Sequence, residues 1–329
     1  MIRFPKKSYC MRKFHAVQIN HLFKNFCFKI FIMIFYFICN MNKSISNMSG
    51  ILSGQKFVKK KFLNLFGLHI FRILVANVYF NIRSKKLFSN FTNEEKILRT
   101  DGVVVIHNFL PLNEFEGLRN EFNNQKNYEG NEKVIDDGDS TWVRKKFSVR
   151  HFEKMPFTKK FLNNKKLLKL INIAESRILS IPAVWFDTLS YEKRISGIQN
   201  SSEVEIFHSD ISFPSHKVFF LIHDVKDEDG PLTFCPGSNK FSLRRLWLEY
   251  KKSNEYDREE NDAFYTITKK EESFLKLNII KGIVPKNTLI IMNGNVFHKR
   301  GSAIPGAKRS MIFTQFRLNP FSLEIKHNV

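Results

Sequence analysis

Downstream of residue 92 the apolar positions fall into short runs with a period of two, interrupted by turn residues, and two longer stretches with helical spacing. Thr92-Asn93-Glu94-Glu95 has the form of a capping box and predicts a short helix through Arg99. Asp101-Gly102 turns the chain into a predicted strand over 103–106. Pro111-Leu112-Asn113 leads a second helix, with Leu112, Phe115, Leu118 and Phe122 on one face. Residues 123–148 are polar and read as irregular, and a longer helix is predicted over 156–180 with Phe161, Leu167, Leu168, Ile171 and Ile178 as its core positions. Residues 184–191 read as a strand.

The second half is richer in strands. Residues 217–225 are dense in β-formers, Asp227-Glu228-Asp229-Gly230-Pro231 is a turn signal, and residues 232–235 form a second short strand closed by Pro236-Gly237-Ser238. Residues 287–292 read as another buried strand, followed by the turn Asn293-Gly294-Asn295. In the last strand, over 309–316, Arg309, Met311, Phe313 and Gln315 share one face. Such strands fit a mainly β protein with flanking helices and a double-stranded β-helix (jelly-roll, cupin-like) core. Between the strands lies a charged insertion at about 239–278, either a lid or an external helix covering a sheet.

Charge divides the chain. Residues 1–93 carry 16 Lys and Arg and no acid, whereas the other 236 residues carry 37 basic and 31 acidic side chains. The formal charge of +22 therefore belongs mostly to the leader, and no nucleic-acid partner is expected for the remainder. Residues 1–91 are read as a basic, partly apolar leader and 92–329 as the main domain. Within the leader, residues 27–39 are apolar but shorter than the roughly 20 residues that span a bilayer. Residues 56–83 suit either an amphipathic helix on an anionic membrane surface or a basic helix packed on the domain. An upstream mis-start, with Met41 or Met48 as the first residue, is a further reading of the leader. On either reading residues 1–91 are expected to be dispensable for metal chemistry. The four cysteines form no Cys-x-x-Cys pair, consistent with a reducing cytoplasm, with membrane association through the N-terminal segment as the added expectation.

Candidate chemistry changes this picture most. His208-Ser209-Asp210 supplies an imidazole and a carboxylate, and His298 follows a predicted strand. Two histidines and one carboxylate suit non-haem Fe(II) with open coordination positions. With ten His and 31 acids, a His-x-acid triplet is expected about once by chance, so the strands around it carry the weight. Arg309, eleven residues beyond His298, suits a bidentate grip on a carboxylate co-substrate, and the set points to an iron dioxygenase consuming 2-oxoglutarate. His216 and His223 read as core or supporting histidines, not ligands. Gln199 and Tyr191 are candidates to help hold 2-oxoglutarate, or are structural.

These residues resemble the phytanoyl-CoA dioxygenase-like family of Fe(II)/2-oxoglutarate-dependent oxygenases. The resemblance rests on His208-Ser209-Asp210, Asp224-Val225…Gly230-Pro231-Leu232, Pro236-Gly237-Ser238, His298 with Arg309, and the opening Asp101 to Leu110, and it covers about residues 92–320. Asn239 stands where the family often has His, and Lys299-Arg300 intervenes before Gly301 where a small residue is common. The resemblance implies Fe(II) on His208, Asp210 and His298, the distal carboxylate of 2-oxoglutarate on Arg309, and Phe219 as a wall of the co-substrate pocket. It implies O₂-dependent hydroxylation of a C–H bond in a small-molecule or lipid-like substrate, with release of succinate and CO₂. The carboxylate ligand Asp210 leaves no vacant site for a halide and favours hydroxylation over halogenation. A non-catalytic jelly-roll ligand-binding protein and a membrane-surface binding protein are the alternatives.

Overall fold

The computed structural model describes residues 61–136, 140–191, 205–255 and 265–327. Helices α1 (Lys61–Leu65), α2 (Leu68–Leu87) and α3 (Asn93–Asp101) lead into strand β1 (Val103–Ile106) and helix α4 (Leu112–Asn123). An antiparallel pair, β2 (Asn131–Asp136) and β3 (Ser140–Ser148), follows. Next come α5 (Pro156–Leu162), α6 (Lys165–Glu175), β4 (Ile178–Leu179) and β5 (Ala183–Tyr191). Strands β6 (His208–Ser209), β7 (His216–Leu221) and β8 (Leu232–Phe234) precede α7 (Leu243–Glu255), β9 (Tyr265–Thr266) and α8 (Lys269–Leu275). The remaining strands are β10 (Ile280–Lys281), β11 (Thr288–Asn293), β12 (His298–Arg300), β13 (Lys308–Gln315) and β14 (Lys326–His327).

The strands build a seven-stranded antiparallel sheet, β1-β11-β7-β13-β5-β3-β2, and a five-stranded sheet, β10-β8-β12-β6-β9. The period of two sorts each strand of the large sheet. Val218, Phe220, Leu289, Ile291, Phe186 and Ile312 pack outward against α4, α5 and α6. Leu221, Ile290, Met292 and Met311 point inward, where they meet Phe234 of β8 and Val296. The jelly-roll expectation holds, and the space between the two sheets holds the candidate site.

Two elements differ from their sequence reading. Residues 123–148 are not irregular: β3 pairs with β5 over nine residues, from Ser140 opposite Tyr191 to Ser148 opposite Ala183. Their polarity hid a sheet edge, where one strand face stays wet and backbone pairing does not depend on apolar content. The helix expected over 156–180 is two helices. Asn164 accepts from Lys166 N and Leu167 N, capping α6, because a short amide side chain competes for backbone donors. Ser176, with φ of 52°, ends α6 in the left-handed region, and Ile178 then enters β4. The Thr92 capping box forms as expected, and Gly102 closes α3 at φ 71° where a Cβ would lie 2.7 Å from Val296.

The insertion after β8 contributes α7, which lies on the outer face of the smaller sheet with Leu248 buried against Phe207, Cys235, Tyr265 and Phe297. Residues 256–264 of it lie outside the described residues.

Across the boundary at 92, helix α2 packs on the domain, which is one of the two readings of residues 56–83. Ile70, Ile73 and Ala76 of α2 are fully buried against Phe213 and Phe321. The guanidinium of Arg72 lies 5.2 Å from the Phe213 ring and 5.6 Å from that of Phe321. Arg83 Nη1 donates to the carbonyl of Ser322 at 2.6 Å. The composition shift that suggested a separate leader recorded charge, whereas docking depends on the inward stripe. A chain beginning at Asn90 should therefore be less stable than one beginning at Lys61. Ile70 and Ile73 alone account for about 3–6 kcal/mol, at roughly 1.5–3 kcal/mol for each buried aliphatic side chain. Equal urea midpoints for the two chains would show that α2 is an appendage. Among the described residues no helix is long and apolar enough to cross a membrane.

Candidate active site

Strand pairing assembles the site. β6 and β12 are neighbours, and His208 stands directly opposite His298. The Nδ1 of His208 lies 2.9 Å from the Ile206 carbonyl, and that of His298 2.8 Å from the Val296 carbonyl. A carbonyl only accepts, so each Nδ1 carries the proton and each Nε2 presents its lone pair to the space between the sheets. Asp210 follows β6, with its N–H donating to the Gly294 carbonyl at 2.9 Å. Gly294 sits in the turn that delivers His298, and a Cβ there would come within 3.2 Å of the Asp210 carboxylate. Asp210 Oδ1 lies 3.9 Å from His208 Nε2 and 3.7 Å from His298 Nε2. Among the described residues these three form the one cluster able to hold a metal ion, with ligand atoms within 4.8 Å of one another. The three donor atoms face one point and would share a single cation.

The electrostatics suit a cation. Burial, with the neighbouring His298 adding to it, pushes the His208 imidazole down to about 3, so it is neutral and able to ligate at pH 7. Burial alone would raise Asp210, but the Lys217 ammonium and His298 hold it well below the usual carboxylate range. Lys217 Nζ lies 2.5 Å from Asp210 Oδ2 and 3.4 Å from His298 Nε2.

Arg309 lies deeper between the sheets, on the inward face of β13. It is buried, and burial lowers its pKa. Nη1 donates to the Gly230 carbonyl, while the buried Nε has no hydrogen-bond partner. A cavity of about 30 Å³ beside it is walled by Phe219, Leu221, Ile290 and Met311. An orphaned guanidinium donor at the end of an apolar slot fits a carboxylate-ended chain. Tyr191 flanks the same place, since a Cβ on Gly230 would meet its hydroxyl. Gln199 lies outside the described residues. A separate cavity of about 270 Å³ is lined by residues of α2 and α3 with Asn239, Asn293 and Asn295, and by none of the triad.

His216 and His223 stay out of the cluster. His216 Nδ1 donates to Glu175 Oε1 at 2.9 Å, on the side facing α6. His223 lies beyond the end of β7 and is exposed.

Several contributors escaped the sequence reading. Lys217 has the inward position two residues before Phe219, a signal visible once the strand's alternation is assigned. Arg144 pairs with Asp187 through Nε–Oδ1 at 3.1 Å and Nη2–Oδ2 at 3.0 Å, and its guanidinium lies over Trp142 at 4.4 Å. Asp187 is a charge in an otherwise apolar strand, but its partner depended on recognising β3. Behind the triad, Glu249 accepts from Arg245 Nε at 2.9 Å and Ser212 Oγ at 2.8 Å, with His69 of α2 at 3.1 Å. Arg245 also reaches Ser209 at 3.4 Å and lies 4.0 Å from the Phe297 ring, beside both histidines in sequence. Glu249→Ala would strand Arg245 as a buried charge and is expected to cost about 3–5 kcal/mol. A loss below about 1 kcal/mol by urea denaturation would contradict this account of the network.

The phytanoyl-CoA dioxygenase (PhyH) family model matches residues 98–303. The chain belongs to this family. It is an Fe(II)- and 2-oxoglutarate-dependent dioxygenase, as the resemblance implied. No curated protein sequence matches it. Among solved structures, it is similar to the epimerase SnoN in complex with Fe3+, alpha ketoglutarate and nogalamycin RO, with 14% identity, 68% of this chain and 81% of that chain covered, and a TM-score of 0.46. It is also similar to EctD from S. alaskensis with bound Fe, with 14% identity, coverage of 73% and 84%, and a TM-score of 0.45. HygX from Streptomyces hygroscopicus with nickel, 2-oxoglutarate and hygromycin B bound has 13% identity, coverage of 69% and 87%, and a TM-score of 0.36.

Proposed function

We propose that this PhyH-family dioxygenase holds Fe(II) on His208, Asp210 and His298 and binds the distal carboxylate of 2-oxoglutarate on Arg309. The observation that carries the reading is the pair of carbonyl-fixed imidazoles, whose Nε2 atoms converge with Asp210 on one point. Iron with 2-oxoglutarate and O₂ supplies the oxidising power for a C–H bond and releases succinate and CO₂. The protein's own part is positional. Phe219, Leu221 and Met311 keep water from the co-substrate slot, and Arg309 fixes its depth. The substrate is a small molecule or lipid-like compound. The test is an anaerobic titration of the protein with Fe(II) and 2-oxoglutarate, followed by a metabolite screen for stimulated succinate release. A folded protein that binds neither would return the chain to a non-catalytic jelly roll.

The catalytic unit extends from α1 to the last described strand, because α2 and α7 share one buried network. The leader adds contact with an anionic membrane surface. On α2, Leu74, Val78 and Ile82 form an exposed apolar row, and residues 1–93 carry no acid. Vesicles containing phosphatidylserine should bind the full chain more strongly than neutral vesicles, and equal binding would reject this contact.

A further inference from the structure

Buried polar atoms nearly always meet a partner, so those that meet none within the chain call for an explanation. Two such atoms, Oδ1 of Asn239 and Oδ1 of Asn295, belong to the wall of the cavity of about 270 Å³, and Asn295 is only 1% exposed. The rim of this cavity includes the exposed Asn81 and Lys240, and its floor the buried His216 and Asn293. His216 alternates with Val218 and Phe220, and Asn293 with Ile291 and Leu289, so both stand on the outward, helix-covered face of the large sheet. The triad lies on the other face, between the sheets. A compound held here is therefore not the one that is oxidised.

The wall selects for hydroxyl groups. Asn239 and Asn295 each present an acceptor. Asn293 Oδ1 accepts from Ser215 N at 3.3 Å and Asn295 N at 3.2 Å, so Nδ2 is its remaining group, a donor. A hydroxyl serves acceptors and donors together, whereas a carboxylate only accepts and an ammonium only donates. The charged groups of the wall are already matched. Arg99 donates to Ser84 Oγ and lies 4.7 Å from the Phe91 ring, Lys240 lies 3.6 Å from Asp101, and His216 Nδ1 bonds Glu175. That favours an uncharged compound. The volume falls just below the roughly 300 Å³ at which pockets for drug-sized ligands begin, so the compound is small.

We propose that this cavity is an effector site for a small, uncharged, hydroxyl-rich compound, a polyol or monosaccharide. Its effect passes through one turn. Asn293 and Asn295 flank Gly294, whose carbonyl holds the Asp210 N–H at 2.9 Å, and His298 follows three residues after Asn295. A compound bonded to Asn295 fixes that turn and with it the Asp210 backbone, so the metal binds more tightly, and metal tightens the compound by the same factor. This coupling rests on the triad reading given above; the site itself does not.

The experiment is a calorimetric titration of the full chain, without added metal, with xylitol, D-glucose and myo-inositol, and with D-gluconate as the charged comparison. At least one neutral probe should bind with a Kd of about 1 mM or tighter. Asn295→Leu deletes an acceptor, and Asn77→Phe brings a ring into the cavity from α2; each should weaken that binding at least about tenfold. Asn77 bonds Ile73 of its own helix, so the second variant keeps the test open if the first does not fold. No binding by any probe, or binding that survives both substitutions, overturns the site, and binding of gluconate alone overturns the uncharged class. Cobalt(II), followed by its visible absorbance, should bind the wild type at least about fivefold more tightly with the neutral probe present. Unchanged cobalt affinity overturns the effector role. A wild type that binds no cobalt sinks the triad reading and the coupling with it, while the probe result still decides the site.

Discussion

His298→Ala should abolish Fe(II)-dependent turnover of 2-oxoglutarate without unfolding the domain. His298 contributes one of two imidazoles whose rings lie 4.5 Å apart, and its Nδ1 bond to the Val296 carbonyl fixes the ring's tautomer. Truncation removes that ring from β12 but leaves the backbone pairing with β6 and β8 in place. His208→Ala should behave in the same way. Metal affinity is expected to fall by more than about a hundredfold, since even supporting groups around a metal commonly cost 10–100-fold. Asp210→Ala should also stop turnover, while weak metal binding by the two histidines survives. His216→Ala and His223→Ala are the controls. His216 bonds Glu175 and His223 lies outside the cluster, so both should keep metal, with any loss traceable to stability. Metal content measured after gel filtration decides the matter. Iron retained by His208→Ala but lost from His216→Ala would show that the ligands are misassigned.

Arg309→Ala should leave Fe(II) bound and weaken 2-oxoglutarate binding by about 3–5 kcal/mol, the usual cost of stripping one partner from a buried charge pair. That is more than a hundredfold in Kd. Arg309 is the cation of the apolar slot, and its Nε is free for a second bond beside the one Nη1 makes to Gly230. Arg309→Lys should recover only part of the affinity, because an ammonium is a point donor and cannot present the planar fork. Isothermal titration with 2-oxoglutarate on the iron-loaded, anaerobic variants reads this directly. Wild-type affinity in a folded Arg309→Ala protein would move the role to Arg300 or Arg317. Arg300 already donates to Ser140 Oγ at 2.7 Å.

Much of the site was legible because it depends on local chemistry. The residue types of a metal triad, its spacing in strand-flanking turns, and an arginine on an inward strand face are all properties of short segments. So were the Thr92 capping box and the helix with Phe115, Leu118 and Phe122, since caps and periodicity act within a few residues. Strand β3, next to the sheet's edge strand β2, was missed for the converse reason. Its residues Ser140–Ser148 carry no strong apolar pattern, and they become a strand because β5 offers nine unpaired backbone partners.

The sequence by itself supplied the candidate ligand set, the inward face of β13 and the mainly β architecture, because side-chain chemistry and period-two alternation are local. Only the tertiary structure decided which charges meet. Lys217 and Asp210 are seven positions apart, His69 and Glu249 are 180 apart, and Arg144 and Asp187 are 43 apart. No local rule assigns partners to buried charges; burial forces each to find one, and the register of the strands and the docking of α2 choose which.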